Sequence, residues 1–154
     1  LAQLKSLCQG GTFLDKISRI KRSENMSKIP STMTKPELKV RKRLFAAGVR
    51  YRCNVKTLAG KPDIAIKKFK LALNIHGCFW HGHENCKNFR LPKSNVDFWQ
   101  KKIASNKERD QRNRQLLIEE GFSYWEIWEC EIKRGNFDKV DQFIRAYRLL
   151  KNIG

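Results

Sequence analysis

IHGCFWHGHENC, residues 75–86, puts three histidines, two cysteines and two aromatics into twelve positions, and it holds every histidine in the chain. The residues leading into it, Leu71 to Ile75, form a nearly unbroken apolar run, as expected of a strand buried on both faces. His76 therefore falls at the carboxyl end of a strand, and the rest of the cluster forms the loop that follows. Cys thiolate and His imidazole suit zinc, while a histidine not held by metal can move protons near neutral pH. A plainer account treats the cysteines, Phe79 and Trp80 as core, but it leaves three histidines unexplained. The stretch is expected to be a metal-buttressed active site.

Upstream, Gly60-Lys61-Pro62-Asp63-Ile64-Ala65-Ile66 begins extended, because Pro62 disfavours helix before it. Lys67, Lys68 and Lys70 mark a turn into the strand at Leu71, so Asp63 and His76 are expected on neighbouring strands of a hairpin, a rigid platform for chemistry. Tyr51 to Val55 reads as a further strand. Thr34-Lys35-Pro36-Glu37 is a helix start, with Thr34 as N-cap, Pro36 in the first turn and Glu37 at the capping-box position. Leu38, Val40, Leu44, Phe45 and Ala47 would be its apolar face and Gly48 its stop. Leu1 to Asn25 holds a basic amphipathic run with Leu14, Ile17 and Ile20 at helical spacing, and residues 1–19 read as a basic extension to a domain of residues 20–154.

Downstream, Lys87 to Lys93 is a basic loop. Ser94 is positioned to cap a helix bearing Phe98, Trp99 and Ile103, and Ser105 with Glu108 forms a second capping box that starts another helix running to Glu120, with Gly121 as its stop. Asp110 lies seven residues before Leu117 on the inward stripe, where a carboxylate requires a partner. Phe122 to Trp128 reads as a strand that delivers Glu129 and Cys130. Asn136 is expected to cap a last amphipathic helix with Phe137, Val140, Phe143, Ile144, Tyr147 and Leu150 on its inner face. The order of elements implies an α/β domain with a mixed central sheet flanked by helices.

The 154 residues suffice for one domain with a real core. Lys and Arg number 33 against 15 Asp and Glu, a formal net charge of +18. Such an excess implies a polyanionic partner, nucleic acid first, because neutralising phosphates releases counterions. No stretch approaches the roughly 20 apolar residues of a membrane-spanning helix, and no amino-terminal signal pattern is visible. The five cysteines, an odd number clustered with histidine, favour metal over disulfides and an intracellular setting. The chain opens on Leu1 and not on Met, as a fragment or processed product would.

Spacing makes Cys78, His83, Cys86 and Cys130 the zinc set, three from one loop and one returning from a distant strand; His76 or His81 could stand in for His83. The remaining histidines with Asp63, Glu37 and Asp110 suit phosphodiester hydrolysis. Carboxylate oxygens suit Mg²⁺, which neutralises charge at phosphorus, and a histidine whose tautomer a carboxylate fixes can activate water.

RSENM at Arg22 to Met26, TKPE at Thr34 to Glu37, GKPDI at Gly60 to Ile64, HGCFWHGH at His76 to His83, FWQKKI at Phe98 to Ile103, NKERD at Asn106 to Asp110 and WEC at Trp128 to Cys130 follow one another in a joint spacing. That spacing resembles the very short patch repair (Vsr) endonucleases, from about residue 20 to residue 133. The resemblance makes Met26 internal to the domain. It implies a restriction-endonuclease-like fold of the PD-(D/E)xK type with a structural zinc, and Mg²⁺-dependent nicking of one strand of double-stranded DNA beside a T:G mismatch.

By the same resemblance, Asp63 matches the family's Mg²⁺-binding aspartate and Glu37 its amino-terminal catalytic glutamate. His76 and His81 match the catalytic histidines and Asp110 their acidic partner; Cys78, His83, Cys86 and Cys130 match the zinc ligands. Phe79, Trp80 and Trp99 match aromatics that wedge into the base stack. Ile75 replaces a common threonine and would meet Mg²⁺ through its backbone carbonyl, Gly82 interrupts the usual histidine run, and Glu84-Asn85 lengthens the gap to Cys86. The expected setting is a monomer on the nucleoid DNA of a bacterial cytoplasm, with mismatch-repair proteins as further candidate partners. Two other readings share the composition: a zinc-stabilised nucleic-acid-binding module without catalysis, and a Vsr-related nuclease of a mobile element or restriction system with another target.

Overall fold

Ile64–Ile66 (β1) and Leu71–His76 (β2) pair antiparallel, with Ile64 opposite Leu73, through a 3-10 turn at Lys67–Phe69. Lys70 closes that turn in the left-handed region, at φ +51°. Ser123–Trp128 (β3) lies parallel to β2 on its other side, pairing Asn74 with Glu126 and His76 with Trp128. The three-stranded sheet is thus mixed, in the order β1-β2-β3. The computed structural model describes residues 18–28 and 32–153. It divides into the units Leu1–Pro30 and Ser31–Gly154. The first carries helix α1, Arg19–Ser27, capped by Ser18 Oγ accepting from Lys21 N–H; the expected helical positions Leu14 and Ile17 lie outside the described residues.

Strand alternation divides the second unit into two layers. Leu71, Leu73 and Ile75 of β2 and Ile127 of β3 face one way, into a core shared with Val40 and Leu44 of helix α2 (Lys35–Ala46) and with Val140, Phe143, Ile144 and Tyr147 of helix α5 (Asp138–Ile153). Ala65, Ala72 and Tyr124 face the other way, toward Leu117 of the long helix α3 (Val96–Glu119) and Phe122. Asn74, His76, Glu126 and Trp128 share the side of Ala72 and Tyr124 by the same period of two. These polar and aromatic residues therefore lie on the α3 side, and the larger apolar core backs them from behind.

Several local expectations are corrected. Tyr51 to Val55 is not a strand: Arg52 alone makes a bridge, to Ala65, and Asn54 turns into the left-handed region at φ +49°. The two helices expected from Ser94 and Ser105 are one, because Ser105 lies within continuous α3, and the N-cap is Asn95. Its polar side chain costs a helix interior little once the flanking turns are fixed by packing. On α2, Val40 and Leu44 are buried, but Phe45 is 64% exposed under the guanidinium of Arg50, and Leu38 is also exposed. Leu150 of α5 is exposed as well. Asn136 does bond the N–H of Asp138, one residue outside the expected cap geometry. The α2 start is as expected in Thr34, which accepts from Glu37 N–H, yet Glu37 reaches back to Met33 N–H and not to that of Thr34.

Candidate active site and metal centre

Asp63 stands at the entry to β1, and its Oδ2 accepts the Ile75 N–H across the hairpin at 2.8 Å. Asp63 N–H in turn donates to Asn74 Oδ1 at 3.2 Å, so both ends of the aspartate are tied to β2. Glu37, 4% exposed, comes from the first turn of α2 into the same cleft. Its Oε1 accepts from Thr34 Oγ1 at 2.9 Å, and its Oε2 accepts from Met33 N–H at 2.9 Å and from Arg41 at 3.2 Å. Burial first, and then the charge of Glu37, push the Asp63 carboxyl up to about 6. Two dehydrated carboxylates in one cleft favour a cation between them, and oxygen donors suit a hard divalent ion.

His76 ends β2, 4% exposed, and its ring stacks on His81 with centroids 4.1 Å apart and planes 9° from parallel. Burial, reinforced by His81, lowers the His76 pKa to about 3, so its imidazole is neutral at physiological pH. His81 Nδ1 meets Asp110 Oδ2 at 2.5 Å. Burial works to raise Asp110, but the hydrogen bond and charge of His81 outweigh it and leave the carboxyl below its ordinary value. Asp110 thereby finds the interior partner its position on α3 requires.

Helix α3 also fixes the loop itself. Asn106, buried, donates to the Trp80 carbonyl at 2.8 Å, and Lys107 pairs with Glu84 at 2.7 Å. Gly82, at φ +60°, passes so close to the helix that a Cβ would lie 2.6 Å from Ile103 Cγ2, a place and a backbone conformation that suit glycine. Gly60, at φ +68°, passes α3 equally closely, its Cβ position 2.8 Å from Asn113. Glu37, Lys61, Asp63, Ile75, His76, His81, Arg109, Asp110 and Asn113 line one cleft. Sequence reasoning had not singled out Asn74, Asn106, Asn113 or Glu126, because polar residues on a strand or helix resemble a solvated face until the neighbouring element is placed.

Cys78, His83, Cys86 and Cys130 converge, their donor atoms all within 4.8 Å of one another. His83 Nδ1 is 3.4 Å from Cys78 Sγ and 3.5 Å from Cys130 Sγ. A tetrahedral ion with metal–sulfur near 2.3 Å and metal–nitrogen near 2.0 Å would hold such a pair about 3.5 Å apart. Burial, with Cys130 and Cys86 beside it, pushes the Cys78 thiol up to about 12, so the thiolates need a cation to coexist. Cys130 arrives on the first turn of helix α4, Glu129–Lys133, whose Glu131 reaches back to Trp128 N–H at 2.8 Å. Trp128 separates the two centres, stacked on His83 at 4.0 Å and edge-on to His76 at 5.3 Å.

Phe79, Trp80 and Trp99 form one aromatic cluster, with centroids 5.2 to 6.1 Å apart. Phe79 and Trp80 are partly exposed, whereas Trp99 is 6% exposed and its neighbour Phe98 is 59% exposed.

A histidine–carboxylate pair, acidic groups at the sheet edge and a strongly basic chain describe a nuclease, and the comparisons with known proteins agree. The model of the family described as DNA mismatch endonuclease Vsr matches residues 14–88. The type II nicking enzyme V.NmeAIP of Neisseria meningitidis is 53% identical over 73% of this chain and 80% of its own length. V.XorIIP of Xanthomonas oryzae, another type II nicking enzyme, is 42% identical over 77% and 86%. DNA mismatch endonuclease Vsr of Escherichia coli is 35% identical over 73% and 71%.

The protein is a DNA endonuclease, and DNA is its substrate. It belongs to the Vsr family. Membership sets aside the non-catalytic module. Among the described residues, no helix is long and apolar enough to cross a membrane.

Proposed function

We propose that the protein nicks one strand of double-stranded DNA beside a T:G mismatch arising from 5-methylcytosine deamination, in a Mg²⁺-dependent reaction. The observation that carries this reading is the convergence of Asp63, Glu37, His76 and the His81–Asp110 pair on one cleft, with Phe79 and Trp80 partly exposed on the same loop. Large planar side chains beside a basic surface suit insertion into a base stack. Trp99 would join them through the cluster it shares.

His81, with Nδ1 donating to Asp110, has Nε2 free to take the proton of an attacking water, and Asp110 stabilises the imidazolium that results. Neutral His76 assists at the scissile phosphate. Glu37, saturated by Thr34, Met33 and Arg41, acts by orienting water and not as a mobile base. Arg109 and Lys61 line the cleft and add positive charge for the phosphate. Asp63 and the Ile75 carbonyl would hold Mg²⁺, which supplies charge neutralisation at the phosphoryl oxygens.

The cluster Cys78, His83, Cys86 and Cys130 would hold zinc: three soft thiolates and an imidazole leave no open position, so its part is structural. Residues 1–19 serve as a basic extension to the endonuclease domain of residues 20–154. The enzyme acts as a monomer in a bacterial cytoplasm, as an isolated mismatch has no two-fold symmetry to match. A second reading keeps the chemistry and changes the target: relatives such as V.NmeAIP and V.XorIIP are named type II nicking enzymes, which favours a nuclease tied to a restriction system. The test is nicking by Asp63→Ala and His81→Ala. Both are expected to be inactive, and retention of activity by both would overturn the assignment.

A further inference from the structure

Glu126 has no part in the chemistry so far. It sits mid-strand on β3, opposite Asn74 in parallel register, and one step of the alternation before Trp128, which lies opposite His76. Its side chain therefore emerges on the α3 side, beside His76. Glu126 Oε2 is 3.6 Å from His76 Nδ1. Glu126 lines the pocket next to the phosphate cleft, and the two share His76, His81 and Asp110. A half-buried carboxylate beside a cleft built for phosphates is costly on two counts, desolvation and repulsion. The charged and titratable groups around it come from every neighbouring element: Arg114 and Asp110 from α3, Lys139 from α5, His81 from the loop and Tyr124 from its own strand. Arg114 and Lys139 offset part of the cost, and burial leaves the Glu126 carboxyl above its ordinary value.

A neutral imidazole carries one N–H, and its partner decides which nitrogen has it. His76 is stacked on His81 and met edge-on by Trp128, so the ring plane is fixed by packing and the tautomer is not. We propose that Glu126 is a positioning residue for the hydrolysis: it accepts from His76 Nδ1–H, so that His76 Nε2 carries the lone pair. Two histidine–carboxylate pairs then lie side by side at the cleft, His81 with Asp110 and His76 with Glu126. The gap to Glu126 is slightly longer than a hydrogen bond and within reach of a small rotation of the carboxylate. This inference rests on the hydrolytic role given to His76 in the proposed function.

The test uses ¹⁵N-histidine-labelled protein with its metals bound and no DNA, with His76 assigned by comparison with His76→Gln. In the unsubstituted protein, His76 is expected to show the Nδ1–H tautomer. Glu126→Leu should move it to the Nε2–H form or a mixture and lower kcat for nicking about tenfold with little change in KM, while Glu126→Gln, which keeps an acceptor, restores the tautomer and most of the rate. An Nε2–H tautomer in the unsubstituted protein, or a tautomer indifferent to Glu126→Leu, overturns the proposal. If His76→Gln still nicks at full rate, the role of His76 fails instead, and the tautomer result stands apart from it.

Discussion

His81 Nδ1 and Asp110 Oδ2 lie 2.5 Å apart although 29 residues separate them in the chain. The contact joins the loop after β2 to the middle of α3, and the carboxylate favours the proton of His81 on Nδ1. Asp110→Asn keeps the shape but not the charge that stabilises an imidazolium. It should lower kcat for nicking by about 10²-fold or more and leave KM within a few fold, as a loss confined to the transition state requires. Single-turnover kinetics on a nickable duplex measures this; an equal fall in substrate affinity would point to a role in DNA binding.

Asp63 shows a stability signature separable from catalysis. Its folded pKa, about 6, exceeds the ordinary 3.8, so it is the ionised form that folding penalises. The penalty is full above pH 6, shrinks as pH falls and is gone below the unfolded value. In Mg²⁺-free buffer, Asp63→Asn should therefore stabilise the protein by about 2 kcal/mol at pH 8 and by almost nothing below pH 4. Denaturant titration at the two pH values tests this, with nicking abolished in the same variant. Destabilisation at pH 8 would mean that the carboxylate is needed to hold the hairpin.

The cysteine–histidine cluster predicts one tightly held zinc per chain by elemental analysis. Its removal with a strong chelator should expose Cys78, Cys86 and Cys130 to thiol reagents, whereas Cys53, exposed in the structure, should react before treatment. Trp128 fluorescence should shift with metal loss, because its ring stacks on His83 at 4.0 Å. A cluster that retains no metal and leaves the fold intact would reduce it to core packing.

Arg43 of α2 and Asp141 of α5 form a bidentate pair, 2.8 Å at each contact, that fastens the two helices behind the sheet. The hydrogen bond to Arg43 is the main cause of a depressed Asp141 carboxyl. Its stabilisation is present above the unfolded pKa and lost as pH falls through the folded one. Both groups are over a third exposed, so solvent screening limits Asp141→Asn to a loss of about 0.5 kcal/mol at pH 7, vanishing in strong acid. Thermal unfolding in low and high salt checks the size and sign.

The hairpin of β1 and β2, the α2 cap and the convergence of Cys130 on the loop cysteines were readable because each rests on local periodicity, a capping pair or ligand chemistry. The misread elements depend on long-range packing. Ser105 carries a helix-start signature but lies inside α3, where Asn106 and Asp110 are already committed to Trp80 and His81. Phe45 fits the helical stripe of α2, yet the stripe is wider than the core it meets. Glu126 carries no signal in the sequence beyond its place on an alternating strand; only the register with Asn74 and His76 puts it on the histidine's face.

The central claim is most directly tested by incubating the protein with Mg²⁺ and an end-labelled duplex carrying one T:G mismatch in varied sequence contexts, beside the matched T:A and C:G duplexes. The account predicts a nick in the thymine strand next to the mismatch and intact matched duplexes. Cutting indifferent to the mismatch, or none in any context by zinc-loaded protein, would contradict it.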